Sequence, residues 1–352
     1  SEQKDALDNM TQTPSLVSVI VVTVNHFDLL KQCLRSLHEQ DYEPLEVIVV
    51  DNGSIKDARG VLAEEFPEVR VIRLDRNHGF AGGNNRGIEV SKGKFVALIN
   101  NDAVADPRWI SAMVAAAEAD SSIAAAASII IDGNRPEVLD SCGVGIGLDG
   151  MSRQAMRGMP VPKLTQPKGV LLFSGCACLL RMTALKEVGL FDEDFFAYCE
   201  DTDLGLRMRS AGWNITVAPG AYVKHFYSMT GGKFSLQKVY WVERNHFWAA
   251  VKNFPWLLLA VVPVITLVRY FVQGYSVLKG VGELNEFTKQ TGMPVIISTY
   301  AKAYMDMFIK LPVMISKRYR FRKIHHIGNM EMFRLIWKYH LSVREIIGMP
   351  KQ

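Results

Sequence analysis

The sequence predicts an α/β fold in the first two thirds of the chain and a helical region in the last third. Three observations lead to this prediction. Short β-branched runs alternate with amphipathic stretches up to about residue 230, as they do in open sheets with right-handed helical crossovers. Two of these runs end in an aspartate. Beyond about residue 235, long apolar and basic stretches replace the alternation.

The composition is that of a globular protein with reduced cysteines. Of the 352 residues, 49% are hydrophobic and 22% are charged, a balance that supports one large core. A formal net charge of only +4 predicts no nucleic-acid partner. Five scattered cysteines without a CxxC pair favour a cytosolic compartment over a disulfide framework or a zinc site. Residues 1–15 are predicted to form a flexible tail rather than a signal peptide.

The alternation places four strands and four helices in the first third of the chain. The predicted strands cover residues 16–24, 45–50, 69–74 and 94–99. The predicted helices cover residues 28–39 and 56–66, and two more begin near Gly83 and at Pro107, with Asp106 as N-cap. The second strand is almost wholly apolar, as strands buried on both faces of a parallel sheet are.

A long connection separates these elements from the rest of the predicted sheet. Residues 132–168 carry glycine, proline and methionine with few periodic signals, and a connection of this length is usually functional. A strand at 170–180 follows, then a short helix from Thr183, a helix over about 200–212 and a strand at 217–223. The first domain is therefore predicted to end near residue 235.

Acidic residues follow two predicted strands and open one predicted helix. Asp51 and Asp102 come at strand ends, where the alternative is a turn-forming aspartate that caps the next helix. Because ligands of open α/β sheets bind beyond the carboxyl ends of the strands, two such aspartates favour a shared site. Glu200, Asp201 and Asp203 lie in one helical turn. Complementing the helix dipole is the alternative for them, but three carboxylates exceed what a cap needs.

Residues 236–352 are predicted to form a helical region that associates with a membrane. The run 256–268 is strongly apolar but ends after thirteen residues at Arg269, whereas a spanning helix needs about 20. This pattern predicts a helix that lies in the membrane interface. Residues 317–323 interleave cations with aromatics and are predicted to contact anionic headgroups. The alternatives are RNA binding and a buried helical hairpin with a solvated basic face.

Several segments resemble, in the same order, the motifs of glycosyltransferase family 2. These segments are residues 18–25, 49–54, 77–87, 100–102, 200–203 and 212–213. The resemblance covers about residues 16–230, extends weakly into the C-terminal helices and is strongest to the bacterial rhamnosyltransferase-like branch. It implies a GT-A (Rossmann-like) fold and a single-displacement reaction that inverts the anomeric carbon.

The resemblance also implies which residues bind the nucleotide sugar. In the family, the first strand end and the Val-Asp-Asn-Gly-Ser turn hold the nucleoside, and these correspond here to Thr23, Asn25 and Asp51. The glycine-rich segment is expected to begin a helix whose backbone approaches the ribose and the diphosphate. The further binding residues expected from this resemblance are Gly79, Phe80, Gly83, Asn84, Arg86 and Asn101.

The family's metal motif, Asp-x-Asp, is reduced here to Asn100-Asn101-Asp102. The resemblance implies that Asp102 binds Mg²⁺ or Mn²⁺ together with diphosphate oxygens. His225 matches a position where some members place a metal-binding histidine, and an imidazole favours Mn²⁺. The alternative for His225 is a purely structural role.

The Glu-Asp motif at the start of the acidic helix implies the catalytic base. Asp201 matches this base, which takes the proton of the acceptor hydroxyl as that hydroxyl attacks the sugar. Glu200 and Asp203 are expected to support it by orienting Arg207 or an acceptor hydroxyl. The expected enzyme is an inverting, metal-dependent hexosyltransferase.

The expected role is cell-surface glycan synthesis at the cytoplasmic face of the inner membrane, with peripheral attachment. The branch implies dTDP-L-rhamnose as donor, a UDP-hexose or UDP-N-acetylhexosamine being the alternative, and a polyprenyl-linked glycan or polysaccharide as acceptor. Two other classes compete. A sugar nucleotidyltransferase would need a Gly-x-Gly-x-x-Arg turn after the first strand, where this chain has Thr-Val-Asn-His. A non-catalytic nucleotide-sugar-binding protein would need neither Asp201 nor His225, and both are present.

Overall fold

A mixed β-sheet forms the centre of the first two thirds of the chain. The computed structural model describes residues 14–161, 169–226, 235–280 and 283–348. Its strands are β1 (Val17–Thr23), β2 (Leu45–Asp51), β3 (Arg70–Arg73), β4 (Phe95–Ile99), β5 (Ala103–Ala105), β6 (Ile123–Asp132), β7 (Leu139–Cys142), β8 (Val144–Ile146), β9 (Ser152–Gln154), β10 (Ala177–Arg181) and β11 (Asn214–His225). Among the described residues, nine strands form one sheet in the order β3-β2-β1-β4-β10-β6-β11-β5, with β7 beside β6. The predicted α/β class is confirmed, and almost all of the predicted tail lies outside the described residues.

Only part of this sheet is parallel. β1 pairs in parallel with β2 and β4, and β2 pairs in parallel with β3, so Thr23 lies opposite Asp51 at one carboxyl edge. β10 runs antiparallel to β4 and β6, and β11 runs antiparallel to β5. The sequence analysis identifies no strand at β6, because alanine-rich runs carry little β signal.

Helices cover both faces of the sheet. They are α1 (Phe27–His38), α2 (Ala58–Leu62), α3 (Gly79–Val90), α4 (Trp109–Glu118), α5 (Met182–Val188) and α6 (Glu200–Ser210). Because successive strand residues point to opposite faces, Val19 belongs to a core with Leu34 of α1 and Trp109 of α4. Ile20 belongs to the core on the other face, with Leu204 of α6. Burying each such side chain contributes about 1.5–3 kcal/mol.

Several boundaries differ from those predicted. α3 begins at Gly79 rather than near Gly83. α4 begins at Trp109 and Asp106 is not its N-cap, because the Asp106 carboxylate closes the preceding turn by accepting the Arg108 N–H at 3.0 Å. The connection at 132–168 contains β7, β8 and β9, while residues 162–168 lie outside the described part.

After residue 235, the described part of the chain is mainly helical. They are α7 (Leu236–Asn253), α8 (Trp256–Leu278), α9 (Glu283–Thr291), α10 (Met293–Phe321), α11 (Asn329–Tyr339) and α12 (Val343–Ile346). α8 has 23 residues and is long and apolar enough, by length and composition, to cross a membrane. The expectation that this apolar stretch is too short to span a membrane was therefore wrong. Arg269 does not interrupt the outer surface of α8, because its buried guanidinium turns inward to Glu243 and Asp149.

The basic stretch at 317–323 is only partly available to a membrane. Lys317 pairs with Asp192 and Asp194, which precede α6, and the buried guanidinium of Arg318 donates to the carbonyls of Val251 and Phe254, both at 2.7 Å. The expectation of headgroup contact was wrong for these two cations, because both satisfy partners inside the protein. The cations further along the stretch, Arg320, Arg322 and Lys323, are exposed.

Candidate active site

A cavity of about 550 Å³ lies between the sheet and the C-terminal helices. Its volume falls within the range of ligand-binding clefts, about 300–1,000 Å³. At its sheet end the wall includes Asp102, His225 and Asp201. At its helical end the wall includes Arg269 and Gln273 of α8. Side chains from distant parts of the chain therefore face one space.

His225 is held between two carboxylates. It ends β11 and lies beside Asp102, whose carbonyl accepts the N–H of Phe226 at 3.0 Å. The Nε2 atom of His225 is 3.3 Å from Asp102 Oδ1, and Nδ1 is 2.9 Å from Asp140 Oδ2. Burial disfavours the imidazolium, but the Cys176 thiol and the two carboxylates outweigh burial and raise the pKa of His225.

Asp140 is not among the predicted site residues. It lies on β7, within the long connection for which a function is expected. Nothing in the local sequence distinguishes Asp140 from an ordinary surface aspartate, because its partner His225 is 85 positions away. The sheet brings the two together.

The Asp102–His225 pair fits a divalent cation that displaces the proton from Nε2 of His225, because only a neutral imidazole nitrogen binds a metal. A carboxylate and an imidazole 3.3 Å apart offer an oxygen and a nitrogen ligand, a set that suits Mn²⁺. A carboxylate on the second ring nitrogen, here Asp140, is the usual support of a metal-binding histidine. Among the described residues, no group of three or more His, Cys, Asp or Glu side chains is placed to hold a metal. A cation at this site would therefore also need oxygen atoms of a bound diphosphate as ligands.

The loop before α6 has an unusual backbone. Phe196, Tyr198 and Cys199 all have positive φ, between 66° and 69°, a region that costs non-glycine residues about 1–3 kcal/mol each and is common at functional sites. The buried amide of Asn245 in α7 donates to the carbonyls of Phe195, Ala197 and Tyr198 at 2.7–2.9 Å. The helical region thus holds the loop that presents the Glu-Asp pair, a role that the sequence analysis did not assign to Asn245.

Asp201 and Glu200 begin α6 at the cavity wall. The Asp201 carboxylate accepts the N–H of Gly175 at 3.0 Å and that of Thr202 at 2.7 Å. Burial raises the pKa of Asp201, although these N–H groups oppose the rise. Glu200 is only 5% exposed, and its Oε2 has no hydrogen-bond partner among the described residues. Burial and the neighbouring Asp201 raise the pKa of Glu200 well above its usual range.

Replacing Glu200 with glutamine is expected to stabilise the protein at neutral pH. Because the folded-state pKa of Glu200 is raised, its neutral form contributes stability that is present at low pH and is lost as pH rises through that pKa. An amide carries no charge to bury, so the variant should gain more in melting temperature at pH 8 than at pH 5. Thermal melts at both pH values test this, with the exposed Glu64→Gln as control. An equal shift at both values would contradict the prediction.

Asp51 forms the turn that follows β2. The side chain is fully buried, and its two oxygens accept the N–H groups of Ser54 at 2.9 Å and Ala58 at 3.0 Å. These contacts are those of the turn-forming alternative. The expected contact of Asp51 with a base stays a prediction.

Thr23, Asn25 and Asn101 lie at the carboxyl edge of β1 and β4. The Asn101 side chain donates to Thr23 Oγ1 at 3.0 Å, and the exposed Asn25, with φ 63°, accepts the N–H of Ile55 at 2.7 Å. These contacts tie the ends of the strands together. The role of the three residues in nucleoside binding stays a prediction.

Two glycines of α3 are required by packing. A Cβ on Gly79, whose φ is +72°, would lie 2.3 Å from the Phe196 carbonyl oxygen, and one on Gly83 would lie 2.7 Å from a methyl of Val22. The expected approach of ribose and diphosphate to this segment stays a prediction. Asn52 also fixes this segment, donating to the Gly79 carbonyl at 2.9 Å.

The other residues expected in this segment divide between the cavity and the surface. Phe80 lines the cavity. Asn84 donates to the Phe80 carbonyl at 2.9 Å, and Arg86 pairs with Glu193 at 2.9 Å. Of the predicted site residues, the cavity wall therefore brings together Phe80, Asp102, Glu200, Asp201 and His225. The remaining ones lie at the edge of the sheet or in α3.

Comparison with known families gives one match. A family model described as "Glycosyl transferase family 2" matches residues 18–189. The "N-acetylglucosaminyl-diphospho-decaprenol L-rhamnosyltransferase" of Mycobacterium tuberculosis is 28% identical over 243 residues, which are 62% of this chain and 78% of that protein. The "Uncharacterized protein y4gI" of Sinorhizobium fredii is 31% identical over 64% of this chain, but the chain spans only 26% of its length.

The solved structures show the same fold. The mannosyltransferase PcManGT of Pyrobaculum calidifontis, in complex with GDP-Man and Mn²⁺, superposes with a TM-score of 0.54 at 15% sequence identity. The superposition covers 94% of this chain and 93% of that one. At this identity the likeness establishes the GT-A architecture alone. It extends over both the sheet and the C-terminal helices.

Proposed function

Because the chain belongs to glycosyltransferase family 2, we propose that it transfers a sugar from a nucleotide diphosphate to a glycan or lipid-linked acceptor in cell-surface glycan synthesis. One observation carries the proposal. The Asp102–His225 pair and the Glu200–Asp201 pair face the same cavity. An inverting transfer needs a leaving-group side and a base side of this kind around one reacting carbon.

Asp201 is the proposed base. Its carboxylate is held by the Gly175 N–H at 3.0 Å, so it keeps a defined position from which to take the proton of an acceptor hydroxyl. A raised pKa makes it a stronger base than an ordinary aspartate, provided that it is ionised. Burial and the neighbouring Asp201 raise the pKa of Glu200 as well. In its protonated form, Glu200 lets Asp201 ionise without like-charge repulsion.

Asp102 and His225 are the proposed ligands of a divalent cation, with Asp140 orienting His225. A bound cation supplies charge neutralisation for the departing diphosphate. The protein's own part is to hold the two donors 3.3 Å apart and to keep the second ring nitrogen of His225 engaged with Asp140 at 2.9 Å. The carboxylate–imidazole set supports Mn²⁺ over Mg²⁺.

The helical half of the cavity is the proposed acceptor subsite. Two buried oxygens that lack a partner among the described residues, Glu200 Oε2 and Gln273 Oε1, belong to residues of its wall. Trp241 adds an aromatic surface there, with its ring 5.1 Å from that of Phe196. Orphaned polar atoms are costly to bury, and the hydroxyls of a sugar would satisfy them. These features support a glycan at the end of the acceptor.

The donor is proposed to be dTDP-L-rhamnose, on the basis of the rhamnosyltransferase relative. A UDP-hexose or UDP-N-acetylhexosamine is the alternative. Purified full chain should be screened by thermal shift with dTDP-rhamnose, UDP-glucose, UDP-N-acetylglucosamine and GDP-mannose, because a bound ligand stabilises by mass action. The donor that stabilises is then tested for transfer to polyprenyl-diphosphate-linked N-acetylglucosamine. Stabilisation by none of the four, with and without Mn²⁺, would contradict the proposal.

Peripheral attachment to the cytoplasmic leaflet is proposed through α8 and α10. α8 exposes Leu267 (69%) and Phe271 (78%), and α10 exposes Phe308 and Ile309. Exposed apolar patches of this kind mark membrane or protein contacts. The inward ion pairs of Arg269 support an α8 that lies along the protein rather than across a bilayer.

Charges on the exposed face of α8 are expected to abolish membrane binding. The double variant Leu267→Asp, Phe271→Asp should remain with the soluble fraction in liposome flotation, whereas the wild type floats, because burying a charge in the interface is unfavourable. Ile55→Asp is the matched control, since Ile55 is 89% exposed on the catalytic part and should not affect flotation. Flotation of the double variant at the wild-type level would contradict the assignment.

A further inference from the structure

A chain of buried ion pairs starts on the helix that carries the proposed base. Asp203, two residues after Asp201 on α6, is fully buried and lies 2.8 Å from the Nζ atom of Lys252 on α7. The same Nζ atom is 2.6 Å from Asp192 Oδ2. Lys252 is itself fully buried, so it neutralises the fully buried Asp203 and the largely buried Asp192.

The chain of ion pairs continues to α10. Lys317 on α10 lies 2.5 Å from the second oxygen of Asp192 and 2.8 Å from Asp194. Burial favours the neutral acid at Asp192, but Lys252 and Lys317 outweigh it and hold the pKa of Asp192 well below its usual range. Removing either lysine would leave Asp192 with one counter-charge instead of two, which is unfavourable for a largely buried carboxylate.

A second set of contacts fixes the other side of Asp203. Arg207 donates from Nε to Asp203 Oδ2 at 3.0 Å. The guanidinium also donates to the carbonyls of Val188 and Leu190 and lies 5.0 Å from the ring centre of Phe321, the last residue of α10. The first turn of α6 is therefore joined to α10 both through ion pairs and through this stacking.

α10 has two faces that serve different surroundings. Lys317 and the buried Met307 and Met314 face the protein, whereas Phe308 and Val313 are exposed on other sides of the same turns. Val313 and Lys317 both follow Pro312, the proline inside α10, and residues four positions apart lie in adjacent helical turns, so a displacement of the exposed face at Val313 would also displace Lys317. Lys317 is the point at which that inner face meets the carboxylates leading to α6.

We propose that Lys252 and Lys317 are positioning residues for Asp201, and that they convey contact of α10 with a lipid surface to the catalytic helix. This inference rests on the proposed membrane attachment. The elements of this connection, in order, are the apolar outer face of α10, Lys317, Asp192, Lys252, Asp203 and the first turn of α6. Neither lysine touches the cavity, so neither is a catalytic residue.

Hydrogen exchange provides a test that does not need the natural substrates. The full chain is mixed with vesicles of phosphatidylethanolamine and phosphatidylglycerol, and exchange is followed in Glu200–Ser210. The wild type should exchange more slowly in this helix when vesicles are added. Lys317→Met should still float with vesicles but show no change in this helix. Lys317→Arg, which keeps the charge, should behave like the wild type, and so should Lys302→Met, on the same helix but outside the ion-pair chain.

Turnover provides the second test. With the donor identified in the screen, Lys317→Met should lower kcat about tenfold or more, because small displacements of a catalytic group are costly, while the donor KM stays within about twofold. Vesicle binding by the wild type without any change in α6 exchange would overturn the inference but leave the proposed attachment standing. Absence of vesicle binding would overturn both. Unchanged kcat in Lys317→Met would refute the positioning role.

Discussion

Replacing Asp201 with asparagine is expected to lower sugar transfer about 10²–10⁴-fold, the usual contribution of a positioned base. The amide is nearly isosteric, but its single oxygen can accept only one of the two N–H groups, of Gly175 and Thr202, that the carboxylate accepts. Thermal melts of the variant therefore accompany the assay. The amide cannot take up the acceptor proton at neutral pH. Donor affinity, measured by calorimetry, should stay close to that of the wild type. The predicted donor contacts lie elsewhere, at the carboxyl edge of β1 and β4 and at the cation held by Asp102 and His225.

Single-turnover transfer by Glu200→Gln is the control for local charge. Glu200 is the adjacent carboxyl on the same helical turn, so a loss specific to Asp201 separates proton transfer from a general effect of charge. If Asp201 only complemented the helix dipole, its replacement would cost about 0.3–1 kcal/mol of stability and leave turnover normal. Transfer near the wild-type level in Asp201→Asn, or a larger loss in Glu200→Gln, would move the base away from Asp201.

The pH profile offers an independent check of the same assignment. A base acts when ionised, and burial raises the pKa of Asp201. Transfer should therefore fall as pH decreases through a value above the usual range of aspartate, and it should be maximal above that value. The residual activity of Asp201→Asn should lack this acid limb. If Asp201→Asn kept the fall in transfer at low pH, that fall would come from the titration of another side chain.

Removal of divalent cations is expected to abolish transfer, and Asp102→Ala and His225→Ala should each weaken cation binding. The site has few protein ligands, so the loss of one leaves little to hold the ion. Asp140→Asn should weaken Mn²⁺ binding about 10–100-fold, because a carboxylate that orients a ligating histidine has effects of that size. Mn²⁺ is titrated calorimetrically in the presence of the nucleoside diphosphate of the identified donor.

Asp132→Asn is the matched control for the Asp140 variant. Asp132 ends the strand beside β11, but its carboxylate pairs with Arg135 at 2.7 Å rather than with His225. It should bind Mn²⁺ like the wild type. Full turnover in excess chelator would disprove the metal assignment. Wild-type Mn²⁺ affinity in His225→Ala alone would return that histidine to a structural role.

The sequence was sufficient where a role depends on neighbours along the chain. The alternation of strands and helices predicted the α/β class, and the acidic turn at Glu200 predicted a helix start that the structure contains. Motif order identified the family. Each of these signals is local, since hydrophobic periodicity and helix-start composition act over a few residues.

The same local signals do not show the structural contacts of residues whose type suits more than one role. Asp51 has the position expected of a nucleoside ligand, and its oxygens also accept backbone N–H groups of the following turn. Gly79 has the flexibility that a phosphate loop needs, and its missing Cβ also accommodates Phe196, more than a hundred positions away. Residue type restricts what a side chain can do, and packing selects among the possibilities.

The sequence by itself determined the fold class, the family and the two acidic residues at the start of the catalytic helix. Only the tertiary structure decided which distant side chains support them. Asp140 reaches His225 across 85 positions, and Asn245 reaches the carbonyls before α6 across about fifty. Such partners leave no periodic trace, because a hydrogen bond or ion pair depends on distance in space, which the sheet and the packed helices set.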